Sequence, residues 1–200
     1  MPTRNSRFSL LLGLMTSLVG PVLAQQPSPP DMQQMQQRMA AAGTPGEGHK
    51  FLNNFVGNWD IKTQMWMGPG APPMEGQATA EVKWVLGGRF VEDRTTGTMM
   101  GQPMTGLGYT GYDNLKKKYT ASWTDNHSTA LLTMEGSLDP SGRILTMFGQ
   151  LDDAMTGEMG KHVKYVLRLV DPDTHIFEIH DLHIPSGETK VMEMTYRRRK

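Results

Sequence analysis

Apolar and polar residues alternate along most of the chain. Trp59, Ile61, Thr63, Met65 and Met67 share one parity against Asp60, Lys62, Gln64 and Trp66, which is how a strand with one buried face reads. Proline and glycine over 69–73 end this run, and the pattern resumes over 78–86 and 89–96 on either side of Gly87-Gly88. It returns over 104–112, 119–124, 130–138, 143–151, 163–170, 175–184 and 189–197. Between these stretches lies turn chemistry: Asp113-Asn114, Asp139-Pro140-Ser141-Gly142, Asp171-Pro172-Asp173 and Pro185-Ser186-Gly187, residues that tolerate or cap tight reversals. The absence of a helical stretch between strands predicts an all-β antiparallel fold, a barrel or a sandwich. One short helix precedes the first strand, because residues 48–55 place Phe51, Leu52 and Phe55 on one face. It is expected to plug one end.

Upstream the pattern changes. Arg4 and Arg7 precede an apolar run from Phe8 to Leu23 that ends Val22-Leu23-Ala24, the layout of a secretory signal peptide cleaved after Ala24. The run is interrupted by Gly13, Gly20 and Pro21 and is short for a membrane span, so no stable membrane anchor is expected. The mature protein is then periplasmic or secreted. Residues 25–46 form a leader rich in Gln, Pro and Met, in which Asp31 N-caps a helix running to Ala42 and stopping at Gly43. Met32, Met35 and Met39 share a face of that helix, which is too short to be stable alone and is either disordered or docked. The division is therefore 1–24 signal, 25–46 leader and 47–200 barrel domain.

Composition then removes several classes of function. Without Arg4 and Arg7 the chain holds 18 basic against 20 acidic residues, a net charge of −2, and nucleic acid is not an expected partner. Its one basic run, Arg197-Arg198-Arg199-Lys200, reads as a solvated end. With no cysteine, neither a disulfide nor a lipidated cysteine exists, although the compartment would permit both.

Chemistry-bearing residues concentrate in the last hairpin. A four-residue loop over 185–188 pairs Ile184 with Thr189, and hence His180 with Glu193, Ile179 with Met194 and Glu178 with Thr195. One face then carries Phe177, Ile179, Met192, Met194 and Tyr196, the other Glu178, His180, Glu193, Thr195 and Arg197. A two-residue loop at Pro172-Asp173 puts Tyr165 opposite His180. The polar cluster is a binding or acid–base group if this face turns inward and a solvated patch if it turns outward; a one-residue slip exchanges the two. His175 and His183 lie about 26 Å apart at ~3.3 Å per residue and cannot share a metal. Glu178, His180 and Glu193 alone could converge, a thin ligand set, and no metal is assigned. Asp125 and His127 in Trp123-Thr124-Asp125-Asn126-His127-Ser128 share parity, yet the segment is also ordinary turn composition. Glycines over 106–111 sit in a strand with no helix after it, which excludes a dinucleotide loop and suggests a strand bend.

A longer string of residues carries a family resemblance: His49-x2-Leu52, Gly57-x-Trp59, Pro69-Gly70, Leu86-Gly87-Gly88-Arg89-Phe90, Gly106-x-Gly108-Tyr109-x-Gly111-Tyr112-Asp113, Trp123-x-Asp125 and Gly136. Together these resemble the bacterial domain of unknown function 1579 family, over about 46–197, and the helix before Gly57-Asn58-Trp59 is similar to the opening of lipocalins and related calycins. The resemblance implies a calycin-like, up-and-down barrel of about ten strands and no established activity. From lipocalins it also implies that Trp59 closes the barrel base under Arg197 or Arg198. The haem-ligand region of nitrobindin-like barrels has no evident counterpart, and no cofactor is expected. The reading is an exported barrel holding a small apolar or amphipathic molecule. Met65, Met67 and Trp123 are its expected wall; Tyr165, Glu178, His180 and Glu193 are the candidates for a polar contact. No catalytic residue is assigned. Two alternatives remain: a barrel enzyme using His180 with a carboxylate, and a Cu(I)-handling protein using the abundant methionines as soft ligands.

Overall fold

A computed structural model describes residues 31–68, 70–183 and 187–200. The expected signal peptide lies outside them. Ten antiparallel strands close into one barrel in sequence order, the first pairing with the last. They are β1 Gly57–Met65, β2 Met74–Val85, β3 Phe90–Met99, β4 Gln102–Asp113, β5 Lys118–Asp125, β6 Leu132–Leu138, β7 Ile144–Leu151, β8 Lys161–Asp171, β9 Thr174–Asp181 and β10 Thr189–Arg198. Closure leaves no unpaired edge, so every strand can turn one parity of side chains inward.

The two ends of the barrel differ in how the chain reverses. At the end where β1 begins, the strands are joined by tight turns at 86–89, 114–117, 139–143 and 172–173. Leu86, Gly87 and Gly88 take φ of 49°, 67° and 81°, a left-handed run that glycine enters without steric cost. In the next turn but one, the Asp139 carboxylate accepts from the backbone N–H groups of Arg143 (3.1 Å) and Ile144 (2.8 Å). At the opposite end the connections at 66–73, 126–131, 152–160 and 182–188 are longer, with Met100-Gly101 the one tight turn.

The tight-turn end is sealed by the expected plug. After the leader helix α1 (Met32–Gly43), the short helix α2 (Glu47–Lys50) runs into a 3₁₀ turn over Phe51–Asn54. Phe51, Leu52 and Phe55 are buried against the barrel floor. Phe51 meets Phe55 and Tyr119 edge-on at 5.2 and 5.5 Å, and the Tyr119 hydroxyl donates to the Gly48 carbonyl at 2.8 Å. Glycine is required at 48 because the Tyr112 ring occupies the place of a Cβ. Trp59 lies beneath, 1% exposed, with its indole N–H donating to the Phe55 carbonyl at 2.7 Å. Of the two arginines considered, Arg198 covers it, with the guanidinium 4.2 Å from the ring centroid. The same guanidinium donates to the carbonyls of Val56 (2.6 Å), Asn54 (3.0 Å) and Pro172 (3.3 Å). Arg198 therefore ties plug, β1 and the β8–β9 turn together.

The leader helix forms as the sequence predicts, with the Asp31 carboxylate accepting from the Gln33 N–H at 3.0 Å. It is held at its C-terminus, where the Asn114 amide donates to the carbonyls of Ala41, Ala42 and Thr44. None of its residues is buried.

A longer last connection and two bulges change the expected pairing of the last strands, since β9 and β10 pair from Asp181 with Thr189 and not from Ile184 with Thr189. Register shifts between Leu169 and Asp171 in β8 and between Lys190 and Met192 in β10. Tyr165 therefore faces Ile179, His180 faces Lys164 and Lys190, and Glu193 faces Glu178. The division of the hairpin into an apolar and a polar face survives, but Tyr165 moves to the apolar one. The glycines of β4 also act differently from the bend expected of them. Gly106 and Gly108 lack positive φ, and a Cβ at Gly106 would lie 2.1 Å from the Trp123 ring. They make a seat for an indole.

Candidate functional site

Inward-facing residues enclose a cavity of about 440 Å³. Its floor is aromatic. Phe55, His175 and Tyr196 rise from the plug, β9 and β10, with His175 stacked on Tyr196 at 4.3 Å and edge-on to Trp59 and Phe55 at 4.4 and 5.2 Å. Val91, Ala121, Leu132, Met134, Leu145, Met147, Leu167, Phe177 and Ile179 make an aliphatic and aromatic belt above it. Toward the long-loop end the wall turns to Met65, Met74, Met99, Met100, Met104 and Met192, with Glu75 and Asp125 at the mouth. Nine of the chain's 17 methionines line the space. Unbranched thioether side chains fit irregular surfaces and re-pack at low cost.

A few polar groups break this lining. Asp93 projects inward from β3 between Val91 and Thr95, and the Thr95 hydroxyl donates to it at 2.7 Å. Burial pushes its carboxyl up to about 6 against that hydrogen bond. Tyr165 is 2% exposed and its hydroxyl has no hydrogen-bond partner among the described residues; burial alone raises it to about 12. His175 is 5% exposed with an equally unpartnered Nδ1. Burial, aided by the Arg198 charge, lowers it to about 3 and keeps it neutral. Buried polar atoms nearly always find a partner, so these two orphans, on residues that line the cavity, are unsatisfied polar groups of its wall.

The rim carries one charged lock. Lys161, at the start of β8, places its ammonium 2.8 Å from Asp181, 2.9 Å from Asp153 and 2.9 Å from Glu158. Hydrogen bonding to Asp181 foremost holds the ammonium well above the ordinary lysine range. Burial raises Asp181 and Asp153, but bonds from Lys161 and from backbone N–H groups outweigh it and both carboxyls end below their usual values. The lock anchors the 152–160 loop to two strands beside the mouth.

The structure divides the residues singled out from sequence. Met65, Trp123 and Tyr165 line the cavity. Met67 does not: β1 ends at Met65, the chain turns away, and Met67 is 49% exposed. Glu178, His180 and Glu193 lie on the outer face, because β9 and β10 give their other parity, Phe177, Ile179, Met192 and Met194, to the interior. There they form a surface ion-pair network. His180 contacts Glu178 at 3.3 Å and Glu188 at 3.0 Å, Arg168 reaches Glu178 at 3.3 Å, and Lys190 pairs with Glu193. Among the described residues no group of three His, Asp or Glu side chains is disposed to hold a metal ion.

Asp125 and His127 assemble no nucleophilic triad. The Asp125 carboxylate accepts from the Trp123 indole N–H and the His127 backbone N–H, both at 2.9 Å, while the Ser128 hydroxyl accepts from the Ala130 N–H. This is a turn that also fixes the indole orientation. The interior polar residues missed in sequence, Asp93 and His175, were marked by parity. Asp93 alternates with Val91 and Thr95, and His175 with Phe177 and Ile179, which puts each on the buried side of its strand.

The fold and site now stand beside known proteins. The profile of the family described as protein of unknown function (DUF1579) matches residues 44–198. No curated protein sequence matches. Among solved structures, Rv2717c from M. tuberculosis is similar with a TM-score of 0.56 at 13% identity, over 78% of this chain and all of that one. A redesigned beta barrel gives 0.40 at 13% identity over 79% of this chain and all of its own. The first likeness is one of fold. The chain belongs to the DUF1579 family.

Proposed function

We propose that this DUF1579 member is an exported binding protein whose barrel holds a small, largely apolar molecule. The observation that carries the reading is the barrel lumen, about 440 Å³ of mostly apolar space whose wall includes Tyr165 and His175, each with a buried polar atom that has no partner among the described residues. Apolar contact supplies affinity at roughly 25 cal/mol per Å² removed from water, and the few polar groups supply orientation. The long loops at the methionine-lined end are the expected route of access. Export follows from the segment before Ala24 and is tested by sequencing the N-terminus of protein recovered from the periplasm or medium.

Binding is tested by titrating the mature protein with the neutral dye Nile red and displacing it with 1-decanol. Saturable fluorescence that is lost in Ala121→Trp, a substitution that fills the lumen, supports the reading. Dye binding that is absent, or unchanged by Ala121→Trp in a protein that still folds, contradicts it.

One observation favours a second reading: nine thioethers line a single cavity, and soft sulfur suits Cu(I). Anaerobic titration with Cu(I) against a chelating competitor separates the two, since tight stoichiometric metal uptake belongs to the second reading alone. The acid–base alternative loses its residues, because His180 and Glu193 face outward and pair with neighbouring charges.

A further inference from the structure

The ionisable side chains lining the cavity are of one sign. Glu75, Asp93 and Asp125 line it, and among the described residues that do so there is no lysine or arginine. The one lining histidine, His175, is buried and held neutral. The three carboxylates are not equivalent. Glu75 is exposed at the mouth, and Asp125 is engaged by the Trp123 indole and the His127 backbone. Asp93 is the interior one, with the Thr95 hydroxyl as its hydrogen-bond donor.

Resting on the ligand reading above, we infer that the preferred guest carries a cationic, hydrogen-bond-donating head, a protonated amine on an apolar body, and that the head seats at Asp93. A charge surrounded by apolar side chains is costly unless paired. An ammonium supplies the missing countercharge, whereas a carboxylate guest would bring like charges together. An ammonium also has three donors and no acceptor. The lining suits it: the Asp93 carboxylate, which accepts from one donor, the Thr95 hydroxyl, lies in the wall beside Tyr165 and His175, each of which carries a buried polar atom without a partner among the described residues. Tyr196 lines the same space, stacked on His175, and its hydroxyl is held above the usual range first by burial and then by the neighbouring Asp93 charge. Aromatic faces attract cations further. The cavity is thus built against fatty acids, although its apolar lining alone would admit them.

The test compares one apolar body with three heads. Decylamine, 1-decanol and decanoate, each below its aggregation limit at neutral pH, are titrated calorimetrically into the mature protein and into Asp93→Asn and Ala121→Trp. A charge-assisted hydrogen bond in a buried site implies that decylamine binds about tenfold or more tighter than decanol, with decanoate weakest. Asp93→Asn is expected to bring the amine close to the alcohol while leaving the alcohol unchanged, and Ala121→Trp to abolish both. Circular dichroism of each variant reports whether it folds. Decanoate binding as tightly as the amine in the wild-type protein overturns the inference and leaves the ligand reading standing, as does an amine preference that persists in folded Asp93→Asn. If none of the three binds, the ligand reading itself fails.

Discussion

The two ends of this barrel solve opposite problems with the same strands. At the closed end the chain reverses in tight turns, a helical plug inserts Phe51, Leu52 and Phe55, and Arg198 caps Trp59 while satisfying three backbone carbonyls. Rings and one guanidinium leave little room to move. At the other end the loops are longer, the lining is methionine, and a principal fastening is ionic, Lys161 with three carboxylates. The difference teaches that this architecture puts its rigidity below the cavity and its adaptability above. On the proposed reading, loops and flexible side chains lie where a guest would pass.

The contrast can be broken first at the floor. Trp59→Ala deletes a fully buried indole and the surface Arg198 packs on; the expected loss is about 3–5 kcal/mol in urea unfolding. A loss under about 1 kcal/mol would mean the plug does not hold the barrel. Lys161→Met attacks the other end and leaves Asp153, Asp181 and Glu158 without their cation. Stranding buried carboxylates costs roughly 2–4 kcal/mol after allowing for partial exposure. The discriminating outcome is hydrogen exchange: fast opening confined to 152–160 and the neighbouring ends of β8 and β9 fits the account, and uniform opening does not.

Gly106→Ala is a smaller and more local test. Its methyl would collide with the Trp123 ring, so about 1–3 kcal/mol of overpacking strain is expected, along with an altered Trp123 emission and weaker Nile red binding. Gly101→Ala, at a position with nothing near the added methyl, separates crowding from backbone effects, since its cost comes from φ of 77° alone.

Acid sharpens the comparison through two buried groups of opposite sign. Between about pH 3 and 6.5 the unfolded chain takes up a proton that folded His175 refuses, so stability falls as pH falls. Between 3.8 and about 6 folded Asp93 keeps a proton that the unfolded chain has released, so its effect on stability runs the other way. Removing Asp93 with Asp93→Asn exposes the histidine effect. The expected result is a steeper loss of stability from pH 6.5 downward than in the wild-type protein, read by urea midpoints. A parallel pair of curves would show that these two groups do not set the slope. The smallest effects are expected outside the barrel. Met67→Ala and His180→Ala should each leave Nile red affinity unchanged and stability within about 0.5 kcal/mol.

Much of this architecture was legible in the pattern of residues. Period-two alternation located all ten strands, and Phe51, Leu52 and Phe55 announced the plug. Parity also separated the two faces of the last hairpin, since the apolar set Phe177, Ile179, Met192 and Met194 does line the interior. What alternation cannot carry is a single unpaired residue. The bulge at Val170 shifts Tyr165 by one position against β9, and one position is enough to change faces. Local composition also hides a long-range cause. Gly106 and Gly108 read in sequence as the site of a strand bend, but their smallness answers to Trp123 on the neighbouring strand. Met67 failed for a plainer reason, because a strand ends where its pairing ends and not where its alternation does.

The methionines themselves offer the most direct measurement of the central claim. With 13C-labelled methionine methyl groups, a titration with 1-decanol reports on interior and exterior thioethers at once. The account predicts saturable shifts and intermolecular contacts at Met134, Met147 and Met194, which line the cavity, and none at Met32 and Met39, which are 65% and 69% exposed on α1. Contacts at the α1 methionines with a silent interior would contradict it.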